Sequence, residues 1–205
     1  MSCARGTGVR LNARIGGTGQ QTVVLHHGFG TRQNVWKNQA EDLIDLMHDL
    51  NIHNAHFIGH SVGGTIGIVA ANSEPGLFRG LSLLATSARY LDDRDTGYAG
   101  GFNRDEIDGL IAAMHDNYAH CAGGLGPLLS AGHANPQIAH DFTHCLLSLR
   151  PDIAAVPMAS TLWIAKATHA AGIRIIDTDG HFPQLNAPES VNQALLDFLS
   201  AHAAH

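Results

Sequence analysis

Apolar residues recur along this chain in short unbroken runs that alternate with longer stretches patterned at helical spacing. Thr22-Val23-Val24-Leu25 has no polar alternation, as expected for a strand buried on both faces. Over residues 38–50, Ala40, Leu43, Ile44, Met47 and Leu50 share one face with acids opposite, which predicts an amphipathic helix. His56-Phe57-Ile58 predicts a second short strand, followed by a small-residue helix through Ile66, Ile68, Val69, Ala70 and Ala71. Leu81-Ser82-Leu83-Leu84 and Ile173-Arg174-Ile175-Ile176 predict two more strands. A final helix is expected from Ala187 to about His202, with Asn186 as candidate N-cap and Pro188 in the first turn, where a missing N–H costs little. This alternation predicts an α/β fold, a mostly parallel sheet with helices on both faces.

Residues 90–150 break the pattern. Ile107, Leu110, Ile111 and Met114, then Ile138, Phe142, Cys145 and Leu146, fall at helical spacing among Gly-rich turns, and no strand is predicted there. The organisation is therefore a core of residues 1–89 and 151–205 interrupted by a helical cap at 90–150. One more helical stretch is expected over 158–170. Asp92-Asp93-Arg94-Asp95 is read as a solvated hinge at the start of the cap.

Composition narrows the function classes. At 205 residues with 44% hydrophobic and 15% charged residues, the chain buries a real core and is not a disordered polyelectrolyte. A net charge of −6 with no basic stripe argues against nucleic acid. No apolar run approaches a membrane span, and the first ten residues lack a signal-peptide core, so the expected compartment is the cytoplasm. Cys3, Cys121 and Cys145 are an odd number at wide spacing, which fits neither a disulfide framework nor a metal knuckle. Fifteen histidines raise a metal reading through the pairs His140/His144 and His53/His56. Without H-E-x-x-H or a third ligand, no metal and no cofactor are expected.

The chemistry concentrates at Gly59-His60-Ser61-Val62-Gly63. This G-x-S-x-G pattern sits where a strand ends and a small-residue helix begins, the setting of a nucleophile elbow. Glycines two residues either side of the serine let the backbone pass, and the helix N-terminus favours a developing oxyanion. His27-Gly28-Phe29-Gly30 leaves an earlier strand, and such a loop supplies a second oxyanion N–H, here that of Phe29 beside that of Val62. Gly180-His181 follows the last predicted strand, in the chain order expected of a general base for Ser61. Phe29 and Phe102 are the candidate pocket residues.

At these positions the chain resembles the α/β-hydrolases, and within them the branch of the bacterial stress-response regulator hydrolase and the strigolactone and karrikin receptors. The phrases that carry the resemblance are His27-Gly28-Phe29-Gly30 with Val35-Trp36, Phe57 to Gly63, Arg89-Tyr90-Leu91, Gly100-Gly101-Phe102, Asn117-Tyr118 and Gly180-His181-Phe182-Pro183. The resemblance implies a Ser-His-Asp hydrolase core under a helical cap with a small apolar pocket. It implies hydrolysis of a small apolar ester or lactone, sometimes within signalling through a protein partner. Ser61 would be the nucleophile, His181 the base, and the Phe29 and Val62 amides the oxyanion hole.

The departures bear on activity. Members of the branch carry a further strand and helix after the Trp36 region, whereas Val35-Trp36-Lys37 runs almost directly into a helix here. The cap is shortened around residues 130–135. Val156-Pro157, which in the family opens the strand ending at the catalytic Asp, leads straight into Met158-Ala159-Ser160-Thr161, so that strand and its Asp are absent. Asp177, Asp179 and Asp152 are the candidate substitutes. Loss of a triad acid costs about 10⁴ in kcat in the reference protease, so the expectation is a weak serine hydrolase. Two alternatives stand beside it: a catalytically feeble ligand-binding signalling protein, and a shortened scaffold without function.

Overall fold

The computed structural model describes residues 2–5, 9–13, 15–28, 36–87, 91–129, 136–147 and 174–201. They fall into two compact units, Met1–Leu84 and Ala85–His205. The expected helix over 158–170 lies outside the described residues.

The first unit opens with a hairpin, β1 (Ser2–Arg5) antiparallel to β2 (Val9–Asn12). A separate parallel sheet has the order β3 (Val23–His26), β4 (Ala55–His60), β5 (Phe78–Leu84). Helix α1 (Trp36–Asp49) joins β3 to β4, and α2 (Val62–Ser73) joins β4 to β5. All three strands are where the apolar runs predict them, and β5 begins three residues earlier than Leu81. In α1, Ala40, Leu43 and Met47 are buried, which is the helical spacing read from the sequence. Central β4 is buried along nearly its whole length. Its Phe57 has no exposed surface and packs against Phe78, ring centroids 4.8 Å apart. The glycines of α2 serve this packing: a side chain at Gly67 would fall within the Phe57 ring. An exposed hydrogen bond from His48 Nε2 to Glu74 Oε1 at 2.8 Å links the last turn of α1 to the end of α2; such surface contacts contribute about 1 kcal/mol or less.

Among the described residues β3 pairs on one side only. Leu25 is 76% exposed and Val23 37%, although their sequence reads as a strand covered on both faces.

The second unit begins with a tight loop. Asp92 Oδ1 accepts the Gly100 and Gly101 amides at 2.8 and 3.0 Å, with isolated bridges Leu91–Phe102 and Asp93–Tyr98. The acidic run is therefore not simply a solvated hinge: one carboxylate satisfies two loop amides that would otherwise lack partners. Helix α3 (Arg104–Asp116) starts in a capping box between Asn103 and Glu106. Helices α4 (Tyr118–Leu129) and α5 (Pro136–Leu147) pack closely where Gly126 meets Thr143. Tyr118 donates its hydroxyl to the Leu146 carbonyl at 2.8 Å. A short helix α6 (Pro183–Asn186) precedes α7 (Pro188–Ala201).

Two expectations are corrected here. Arg174, Ile175 and Ile176 form no strand, and Ile175 is 85% exposed; an apolar run becomes a strand only where a neighbouring strand takes its N–H and C=O groups. Asn186 does not cap the last helix. It ends α6, and its Nδ2 donates to the Asp179 carbonyl at 2.7 Å.

Candidate active site

The elbow is built from three glycines around one strained serine. Ser61 has φ 55° and ψ −126°, a positive-φ conformation costly for any residue with a Cβ. It persists because both of its backbone groups are anchored: Ser61 N–H donates to the Leu84 carbonyl of β5 at 2.8 Å, and the Ser61 carbonyl accepts from Gly64 at 3.0 Å. A Cβ on Gly59 would lie 2.5 Å from Gly64 Cα, and one on Gly63 would lie 2.6 Å from the His27 carbonyl oxygen. A Cβ on Gly28 would lie 2.5 Å from Ser61 Cβ. Gly28 thus belongs to the elbow, carrying the loop that leaves β3 directly across the serine. Val62 is the first residue of α2, where backbone N–H groups have no intrahelical partner. Ser61 is 3% exposed.

His181 lies in the second unit and is 4% exposed. Its N–H bonds to the Leu129 carbonyl that ends α4, at 2.6 Å. The next residue, Phe182, stacks edge-on against Phe142 of α5, centroids 4.5 Å apart. The loop bearing the imidazole is therefore docked onto the α4–α5 pair, an attachment that no local sequence signal announced. Asp177 and Asp179 are exposed. Among the described residues no hydrogen bond or ion pair to either carboxylate is present. Phe102 is half-buried, in the bridge with Leu91. Phe29 and Asp152 lie outside the described residues. An apolar groove of about 470 Å³ runs between α4 and α5, lined by Pro127, Pro136, His140, Thr143, His144 and Leu147; none of the candidate catalytic residues lines it. His140 and His144 stand with ring centroids 6.1 Å apart. Among the described residues no set of three metal-ligating side chains comes together, and no helix is long and apolar enough to cross a membrane.

One residue of the elbow escaped the sequence reading. His26 closes β3, and its Nδ1 lies 2.8 Å from the His27 carbonyl oxygen. A carbonyl only accepts, so Nδ1 carries the proton. Burial is the main influence on this imidazole and lowers its pKa; the bond to His27 raises it, and the charge of a protonated His27 lowers it again. An unfolded histidine titrates near about 6.5. Below that pH the unfolded chain takes up a proton that native His26 does not, so the stability it contributes is present above about 6.5 and lost as pH falls toward the native pKa. Urea midpoints at pH 7.5 and 5.5 are expected to fall further for the wild type than for His26→Asn; equal falls would refute this.

No protein-family model matches the chain. It is 29% identical to a karrikin insensitive 2 receptor of Petunia hybrida, over 90% of this chain and 94% of that one. It is 28% identical to a strigolactone esterase of Arabidopsis thaliana, with the same two coverages. The 255 positions aligned with the Petunia receptor exceed this chain's 205 residues by 50, so at least that many have no counterpart here. Among solved structures, a hydrolase from Oleispira antarctica matches with a TM-score of 0.79 at 19% identity, covering 90% of this chain and 92% of that one. The chain thus has the α/β-hydrolase fold, and its sequence is similar to those of karrikin receptors and strigolactone esterases.

Proposed function

We propose that the chain is a serine hydrolase for a small apolar ester or lactone, of low turnover. The observation that carries this is the conformation of Ser61: a non-glycine residue at φ 55° between a strand and a helix N-terminus, hemmed by Gly28, Gly59 and Gly63. Strain of this kind is retained where it presents a nucleophile. In this reading Ser61 Oγ attacks the ester carbonyl while its proton passes to His181. The Val62 and Phe29 amides hold the oxyanion. The tetrahedral intermediate expels the alcohol, which takes the proton back from His181, and water releases the acid by the same steps. Low turnover follows in this reading from the sequence, which lacks at its expected place the family Asp that orients the imidazole and steadies its positive charge.

A second reading is supported by the receptor named among the relatives: ligand binding that signals to a protein partner, with hydrolysis incidental. Tight binding that survives Ser61→Ala would favour it. The deciding experiment is intact mass after a fluorophosphonate probe, wild type beside Ser61→Ala. One adduct on the wild type and none on the variant is the expected result. No adduct on a cooperatively folded wild type sinks the catalytic reading, and leaves the receptor or a scaffold without function.

A further inference from the structure

The loop that leaves β3 crosses the elbow in close contact with it, and His26 lies beneath that crossing. Beyond its bond to the His27 carbonyl, the imidazole is fixed between two rings, Phe57 at 6.1 Å and His27 at 5.6 Å between centroids. It also sits on the first turn of α2. A Cβ built on Gly63 would meet the His27 carbonyl oxygen at 2.6 Å and His26 Nδ1 and the His26 carbonyl oxygen at 2.7 Å each. Three groups, one side chain and two carbonyls, therefore converge on the Cα of the residue after Val62. His27 repeats the device one residue on, its Nδ1 lying 3.2 Å from the Gly28 carbonyl oxygen. The His27 and Gly28 carbonyls are thus each held by the imidazole of the preceding residue.

We propose that His26 is a positioning residue for the oxyanion amides: donating from Nδ1 to the His27 carbonyl and seated on Gly63, it braces the loop leaving β3 against the N-terminus of α2. This rests on the serine-hydrolase reading for its consequence, though the brace itself lies wholly within the first unit. An oxyanion hole works through amides aimed in advance at the charge that develops, so a loop displaced by a fraction of an ångström loses rate while the fold stands. His26 touches no reacting atom in this scheme and acts through the backbone.

The test pairs two substitutions with two readouts. Asparagine places an amide N–H close to where Nδ1 of histidine stands, so His26→Asn keeps the donor; His26→Leu keeps bulk and loses it. Removing an oxyanion donor outright costs about 10²–10³, so a loosened one is expected to slow fluorophosphonate labelling of Ser61 by about tenfold in His26→Leu. His26→Asn recovers most of that rate. Amide hydrogen exchange of peptides spanning residues 26–28 and 62–64 is expected to rise in His26→Leu alone. If the leucine variant fails to fold, His26→Gln takes its place, since its donor sits one methylene further out. Labelling and exchange unchanged in His26→Leu would overturn the proposal, and so would an asparagine variant as slow and as open as the leucine one. A wild type that is not labelled at all removes the hydrolase reading, and the exchange pattern then decides the brace alone.

Discussion

Gly59→Val is expected to abolish the folded state. The new Cβ would lie 2.5 Å from Gly64 Cα, 2.6 Å from Gly64 N and 2.8 Å from the Gly63 carbonyl carbon. All three are backbone atoms of the first turn of α2, so no side chain can swing aside. Relief would require separating α2 from β4, whose contact buries Phe57, Val62 and Ile66. Overpacking of a relaxed core costs about 1–3 kcal/mol, and a rigid backbone clash exceeds that range. A domain with about 5–15 kcal/mol in total does not absorb it. Circular dichroism is expected to show no cooperative urea transition for this variant. Gly109→Ala is the contrasting case. It lies inside α3 with nothing within 4 Å of the new methyl, and is expected to gain about 0.5–1 kcal/mol from helix propensity. A native-like melt for Gly59→Val would mean that the elbow is not packed as described.

His181→Ala is expected to slow labelling of Ser61 by about 10³. In the proposed mechanism the serine proton passes to this imidazole, and an unassisted hydroxyl is a poor nucleophile near neutrality. The loss should be smaller than the roughly 10⁶ seen when the base is removed from a complete triad, because the proposed mechanism starts without the family's acid. Asp177→Asn and Asp179→Asn are expected to stay within about threefold of the wild type, since exposed carboxylates contribute little through solvent. The second-order labelling rate measures all three. A rate unchanged in His181→Ala would remove His181 from the mechanism, whereas a 10²-fold loss in either asparagine variant would identify the substitute acid.

The elbow could be read so fully because its chemistry is local. A glycine on each side of Ser61, a strand before it and a small-residue helix after it occupy consecutive positions, and the strain they accommodate follows from those positions. Gly28 and His26 were less visible. Gly28 lies more than thirty residues from the serine, and only the parallel pairing of β3 with β4, His26 beside Gly59, brings the two strand ends together. A tandem histidine before a glycine at a strand end was the signal available for His26. Its role came from the half-buried ring seated on Gly63.

The failures have a single physical origin. Ile173-Arg174-Ile175-Ile176 carries strand propensity, but a strand exists only as one side of a ladder. Asn186 has the right residue type for an N-cap, yet Pro183 and Pro188 each start a helical turn and leave it at the end of the first. The acidic run at 92–95 looked solvated until the loop closed and brought the Gly100 and Gly101 amides to Asp92.

The order of residues alone determined the strand–helix alternation, the elbow and the place of each catalytic candidate along the chain. It did so because hydrophobic periodicity and glycine spacing act over a few residues. Tertiary structure decided which apolar runs found strand partners, what packs on Gly63, and what anchors the His181 loop to Leu129 and Phe142. Those outcomes depend on hydrogen bonds and packing between segments far apart in sequence, where no local pattern carries the information.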